Sequence, residues 1–141
     1  SEAEDEEIIQ NGHIYIAKGN YHMTIHQDPL SRLPLFRIKL DQRPHLLGVR
    51  PNANYLFESV VKIFGKHTLG VVLTGMGKDG AKGSKQIKAA GGSVITEAES
   101  TAVVYGMPRM AAPYADTVCP IEKIPQTMVQ YYQQLKGMHT T

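Results

Sequence analysis

The run Leu69-Gly70-Val71-Val72-Leu73-Thr74 constrains the fold more than any other stretch of this chain. Its apolar character is continuous where a half-exposed strand would alternate. That marks a strand covered on both faces, and such strands belong to parallel sheets flanked by helices. The neighbouring segments agree. Asn52 to Gly65 places Tyr55, Leu56, Val60, Ile63 and Phe64 at helical spacing, with Asn52 as N-cap and Gly65 as stop. Asp79 to Ala90 reads as a helix closed by Gly91-Gly92, and Ser93-Val94-Ile95-Thr96 as a second buried strand. Met107 to Pro113 predicts a short helix with Pro108 in its first turn. Asp116-Thr117-Val118-Cys119 predicts a third strand and Pro125 to Leu135 a last amphipathic helix. Strands alternating with helices imply parallel pairing through right-handed crossovers.

Residues 8 to 40 are patterned differently. His13-Ile14-Tyr15-Ile16-Ala17 and Tyr21-His22-Met23-Thr24-Ile25-His26 both alternate, and Gly19-Asn20 between them is a turn signal. Together they predict an antiparallel hairpin. Leu35 to Leu40 is a third alternating run, and Asp41 to Pro51 a connector. The expected class is α/β: an open three-layer α/β/α arrangement, its mostly parallel, doubly wound sheet carrying an antiparallel hairpin, as one partial domain over residues 1–141.

The charge balance excludes several functions. The net charge is +2, and Lys62, Lys66, Lys78, Lys82, Lys85 and Lys88 are spread at helical spacing among apolar positions, as on a solvated helix face. Nucleic-acid binding would need a denser stripe or interleaved aromatics. The lone Cys119 rules out an internal disulfide, fits a reducing compartment, and sits at a strand end where packing is its expected role. No apolar run approaches the roughly 20 residues of a membrane span. The start, Ser1 to Glu7, is acidic where a secretory leader is basic, which points to the cytoplasm. It runs directly into apolar residues, which suggests a cut.

The segment Leu73-Thr74-Gly75-Met76-Gly77-Lys78-Asp79-Gly80-Ala81 is the one with chemical content. It leaves a buried strand and opens a helix, and in open α/β sheets sites form just past the carboxyl ends of strands. Its glycines permit sharp turns and leave N–H groups uncovered, which suits an anion or an oxyanion. Asp79 stands where the helix dipole favours a carboxylate. Three readings remain open on these residues alone: a plain turn and N-cap, a phosphate loop, or a catalytic carboxylate beside an oxyanion hole. The spacing matches neither glycine-rich phosphate motif, and an acid at the helix start repels phosphate. No serine lies in G-x-S-x-G or on a glycine-rich strand-to-helix turn. His22 and His26, four apart on a strand, would lie about 13 Å apart, too far to share a metal ion.

Five blocks in order resemble the catalytic domain of the chemotaxis protein-glutamate methylesterases (CheB-type). They are Asn11 to Ala17 with Tyr21-His22-Met23; Arg50-Pro51 with Leu56 to Val60; Leu73 to Ala81; Ala89 to Gly92; and Val103 to Pro108. The resemblance spans about Glu2 to Tyr132. It implies a cytoplasmic serine hydrolase without cofactor or metal, acting on γ-glutamyl methyl esters, and on certain glutamines, of methyl-accepting chemotaxis receptors. Its triad runs Ser, His, Asp. Asp79 matches the acid, Met76 the residue whose N–H helps form the oxyanion hole, and Gly75 and Gly77 flank it in the substrate-binding loop. The resemblance places the serine, the histidine and a phosphorylatable receiver domain upstream of these residues. It therefore implies that this chain alone is inactive and that Leu69 to Thr74 forms an open edge, which calls for self-association, strand exchange or a missing companion segment. The alternative is a non-catalytic receptor-signalling module retaining the fold. Asn52, Ala53 and Asn54 depart from the family's usual Ser, small apolar residue and Asp. Lys18 replaces a proline, and Thr101 a serine.

Overall fold

The computed structural model describes residues 1–139. Strands β1 (His22–Gln27) and β2 (Phe36–Asp41) pair antiparallel, with His22 opposite Asp41 and Gln27 opposite Phe36. Strands β3 (Leu69–Val72), β4 (Ser93–Glu97) and β5 (Thr117–Cys119) form a parallel sheet in that spatial order. The helices are α1 (Ala53–Phe64), α2 (Ala81–Ala89), α3 (Met107–Ala111) and α4 (Ile124–His139). The fold is thus mixed α/β, a parallel three-stranded sheet with an antiparallel hairpin.

Alternation along β3 and β4 divides the sheet into two covered faces. Gly70, Val72, Val94 and Thr96 face α1 and α2, where Ile87 is fully buried. A Cβ at Gly70 would lie 2.6 Å from Ile87 Cδ1 and 3.5 Å from Phe57, so sheet and helices meet there with no room for a side chain. Leu69, Val71 and Ile95 face the other way and pack with Cys119, and with Ile124 and Tyr131 of α4. The crossover segments α2 and α3 touch each other, as two crossovers of one hand stepping in one direction should. The result is three layers.

Helix α1 joins the hairpin to this sheet. Asn52 is its N-cap, accepting from the Asn54 and Tyr55 N–H groups, and Gly65 at φ 51° ends it. Its Leu56 packs into a second apolar cluster, formed by Ala3 of the N-terminal segment with Met23 and Ile38 of the hairpin, while Phe57 meets α2 and β3. The Ser59 hydroxyl accepts from the Ile25 N–H of β1 at 3.0 Å.

The expected hairpin is corrected. The turn at Lys18 to Tyr21 exists, with Tyr21 N–H donating to the Lys18 carbonyl at 3.3 Å. The chain on either side of it does not pair. Residues 13–17 lie instead along the N-terminal segment, where Ala3 N–H donates to Ile16 O at 2.8 Å and Ile16 N–H to Ser1 O at 3.0 Å. β1 takes as partner the third alternating run, β2, which buries Ile38 opposite Ile25. Helix α2 begins at Ala81 rather than Asp79, because Gly80 at φ 92° turns the chain first. The segment predicted as helix at 107–113 is α3 followed by a 3-10 turn at 112–114.

Candidate active site

Two helix N-termini meet at the outgoing end of β3, and each is capped from the other's chain segment. Asp79 precedes α2 yet serves α1. Its Oδ2 accepts from Ala53 N–H at 2.7 Å and its Oδ1 from Asn54 N–H at 3.1 Å. Asn54 lies in the first turn of α1 yet serves α2. Its Oδ1 accepts from Gly80 N–H at 3.1 Å and Gly83 N–H at 2.8 Å. Helix N-termini leave donors unpaired, and this exchange satisfies four of them. Asp79, Asn52 and Asn54 are all buried. The carboxylate lines a small cleft walled by Ala17, Met23, Pro51 and Leu56. A carboxylate with one bond per oxygen has further lone pairs, so it can orient an N–H donor that enters the cleft. No serine or histidine lines the walls.

The glycine-rich loop is braced from beneath. Gly75 N–H donates to Val104 O at 3.0 Å, and Gly75 O accepts from Gly106 N–H at 3.1 Å and Met107 N–H at 2.7 Å. A Cβ at Gly106 would come 2.7 Å from Gly75 O, a backbone atom that cannot step aside. Thr74 N–H meets Glu97 Oε1 at 2.8 Å, so a side chain replaces the next backbone rung between β3 and β4. Glu97 is buried, and its Oε2 accepts from the Thr101 hydroxyl at 2.8 Å. Thr101 carries the same hydroxyl function as the expected serine. Above these braces the loop is bare. Met76 is 83% exposed, Gly77 holds φ 91°, and neither N–H bonds another group among the described residues.

The other sequence candidates take structural positions. His22 is buried with Nε2 3.0 Å from Pro44 O, and His26 Nε2 lies 3.4 Å from Glu6 Oε2. The Ser84 hydroxyl donates to Gly80 O at 2.7 Å. Cys119 packs beside Ile95. Among the described residues no group of three or more His, Cys, Asp or Glu could hold a metal ion, and no helix is long and apolar enough to cross a membrane. Sequence reasoning passed over Glu97, a charge closing an otherwise buried strand. It noted Asn54 only as a departure.

A family model described as CheB methylesterase matches residues 1–128. The chain belongs to the CheB methylesterase family. Among relatives in this family, the protein-glutamate methylesterase/protein-glutamine glutaminase of Pyrococcus horikoshii is 39% identical over 138 residues, covering 96% of this chain and 36% of that protein. The enzyme of the same description from Bdellovibrio bacteriovorus is 43% identical over 134 residues, covering 94% and 37%. The crystal structure of the Thermotoga maritima CheB methylesterase catalytic domain superposes with a TM-score of 0.85 at 37% identity, covering 92% of this chain and 67% of that one. The chain spans just over a third of the length of the Pyrococcus and Bdellovibrio proteins.

Proposed function

We propose that these 141 residues are the C-terminal portion of a protein-glutamate methylesterase catalytic domain and supply its triad acid and oxyanion loop. The substrates are γ-glutamyl methyl esters of chemotaxis receptors, with receptor glutamines as a second, deamidated class. The serine and histidine come from residues outside this chain, as does a receiver domain that regulates the enzyme. The observation that carries the reading is the pairing of a buried, twice-bonded Asp79 carboxylate in a cleft with the unbonded Met76 N–H of the adjoining loop.

The course is acyl transfer. Histidine takes the serine proton, serine attacks the ester carbonyl, methanol leaves, and water hydrolyses the acyl-enzyme. Asp79 accepts the imidazole N–H, fixing the tautomer and stabilising the imidazolium as it forms. The two α1 amides hold the carboxylate in place for that bond. Met76 N–H meets the developing oxyanion, a contact whose loss typically costs about 3 kcal/mol of barrier. Gly75 and Gly77 let the backbone approach the substrate without side chains in the way.

Methanol release from methylated receptor membranes tests the proposal. The intact gene product should release it, and Asp79→Asn should slow release by about ten-thousandfold. The 141-residue chain alone should release none. Full activity in Asp79→Asn, or release by the chain alone near the intact rate, overturns it.

The alternative, a non-catalytic signalling module, is favoured by one fact: Asp79 already has a structural task as the cap of α1. A module has no use, however, for a left-handed Gly77 and uncovered amides. The gene upstream of Ser1 separates the two readings. A glycine-flanked serine followed by a strand and a histidine supports the enzyme, and their absence supports the module.

A further inference from the structure

A tight turn at Leu46 to Val49 stands beside the catalytic loop. Leu46 and Val49 exchange backbone hydrogen bonds of 3.2 and 3.1 Å. Between them Leu47 has φ 54° and Gly48 φ 79°. Both central residues are left-handed, a conformation that glycine accepts and leucine resists. Asn52 holds the turn there, its Nδ2 donating to Leu46 O at 2.9 Å. The same Asn52 caps α1, so the turn is tied to the helix end that receives Asp79. A leucine kept at glycine's place calls for a reason, and outliers of this kind cluster at ligand-contacting sites.

Leu47 is half exposed, and it lines two adjoining hollows of about 570 and 370 Å3 together with Lys78 and Met110. Tyr105 and Arg109 complete one hollow, and Lys82 borders the other. The first also reaches Gly77, next to the unbonded Met76 N–H. Three cations therefore ring an apolar floor. No carboxylate lines either hollow, and among the described residues none of Lys78, Lys82 and Arg109 forms an ion pair. Aromatic residues, methionine and arginine are what binding surfaces are enriched in.

We propose that this groove docks a glutamate-rich amphipathic segment of the substrate protein, apolar side chains on Leu47 and Met110 and carboxylates against Lys82 and Arg109, so that a neighbouring esterified glutamate reaches the Met76 amide. The proposal rests on the hydrolase reading and adds to it how the enzyme selects its substrate. Charge complementarity fixes the occupant: an uncommitted cationic rim around an apolar floor matches an acidic amphipathic face, and a chain that carries many glutamates presents one.

The test uses the intact gene product and a fluorescent amphipathic peptide with glutamates on one face and leucines on the other, and no ester. Anisotropy should show binding that weakens with added salt, since exposed charges are screened. Lys82→Glu with Arg109→Glu should weaken it by about tenfold or more, and raise KM for methylated receptor while kcat stays within about twofold. Leu47→Gly should also weaken binding; glycine suits that backbone, so loss of folding cannot mimic the result. Absent binding, binding indifferent to these variants, or equal variant-dependent binding to vesicles of phosphatidylcholine with phosphatidylserine overturns the proposal. So does a change of oligomeric state in place of peptide affinity. Because the peptide has no ester, the two readings fail separately. Peptide binding without any hydrolysis sinks the enzyme reading and leaves the groove, while hydrolysis with unchanged KM in the double variant sinks the groove alone.

Discussion

Asn54 sits in the first turn of one helix and serves the first turn of another. Its carboxamide oxygen is the acceptor for two buried N–H groups, those of Gly80 and Gly83. A buried donor left without an acceptor costs about 1–3 kcal/mol. Asn54→Ala should therefore destabilise the protein by about 2–4 kcal/mol, allowing for relaxation. Asn54→Asp, the residue usual in the family by resemblance, keeps an acceptor aimed at a helix N-terminus and should stay within about 1 kcal/mol of the wild type at neutral pH. Urea unfolding of the three proteins measures both differences; equal midpoints would show that Asn54 caps nothing. Asp28 gives a second residue-scale expectation. The Arg37 guanidinium hydrogen bond, followed by the Leu30 N–H, holds its carboxyl below the ordinary 3.8. Arg43 does the same for Asp41. A depressed folded value means that the stabilisation is complete above the unfolded value and disappears as pH falls through the folded one. Thermal melts should thus lose stability below about pH 4, and Asp28→Asn should lower the neutral-pH melt while flattening that acid limb.

Helices α1 and α2 pack closely enough to leave no space for a methyl group. A Cβ on Gly83 would lie 2.6 Å from Phe57 Cβ and 2.9 Å from Cδ2. Helix propensity favours alanine over glycine by about 1 kcal/mol, while forced overpacking costs about 1–3 kcal/mol. Phe57 Cβ is anchored to its backbone, so overpacking wins and Gly83→Ala should destabilise. Gly137, exposed in α4 with open space at its Cβ position, should show the opposite sign on substitution by alanine. Chemical denaturation of the two variants compares them directly, and a stabilised Gly83→Ala would refute the close contact. The elements themselves were legible in the sequence where pattern and packing coincide. Continuous apolar runs gave the parallel strands, and 3.6-residue periodicity with Asn52 and Gly65 gave α1. The hairpin was not, because alternation fixes which face of a strand is buried and says nothing about its partner. Tyr15 and Ala17 do turn inward, as the pattern requires, but against the N-terminal segment. The candidate loop was legible from its glycines and its place after a buried strand. That Asp79 and Asn54 exchange caps was not, since it depends on two helix ends 25 residues apart meeting in space.

At the scale of the whole molecule the parallel sheet has an unpaired side. β3 pairs with β4 alone, and no strand among the described residues lies against its other edge. Thr68 O accepts from Ser93 N–H, so by the alternation of a parallel ladder Gly70 and Val72 address β4 while the backbone groups of Leu69 and Val71 point to the open side. Leu73, next along, is 40% exposed. Two of the buried apolar clusters are also separate, one around Ile38 in the hairpin and one around Ile95 between the sheet and α4. A row of unpaired donors and acceptors flanked by apolar side chains is a template for another strand. In the proposed enzyme that strand belongs to the remainder of the catalytic domain. For the 141-residue chain by itself the available strand is a second copy of β3. Sedimentation at micromolar concentration should then show dimers or larger species, and Leu73→Lys, which places a charge at the edge, should shift them toward monomer. A sharp monomer boundary for the unmodified chain would mean that the edge is already protected, and the expectation of a missing neighbour would go with it.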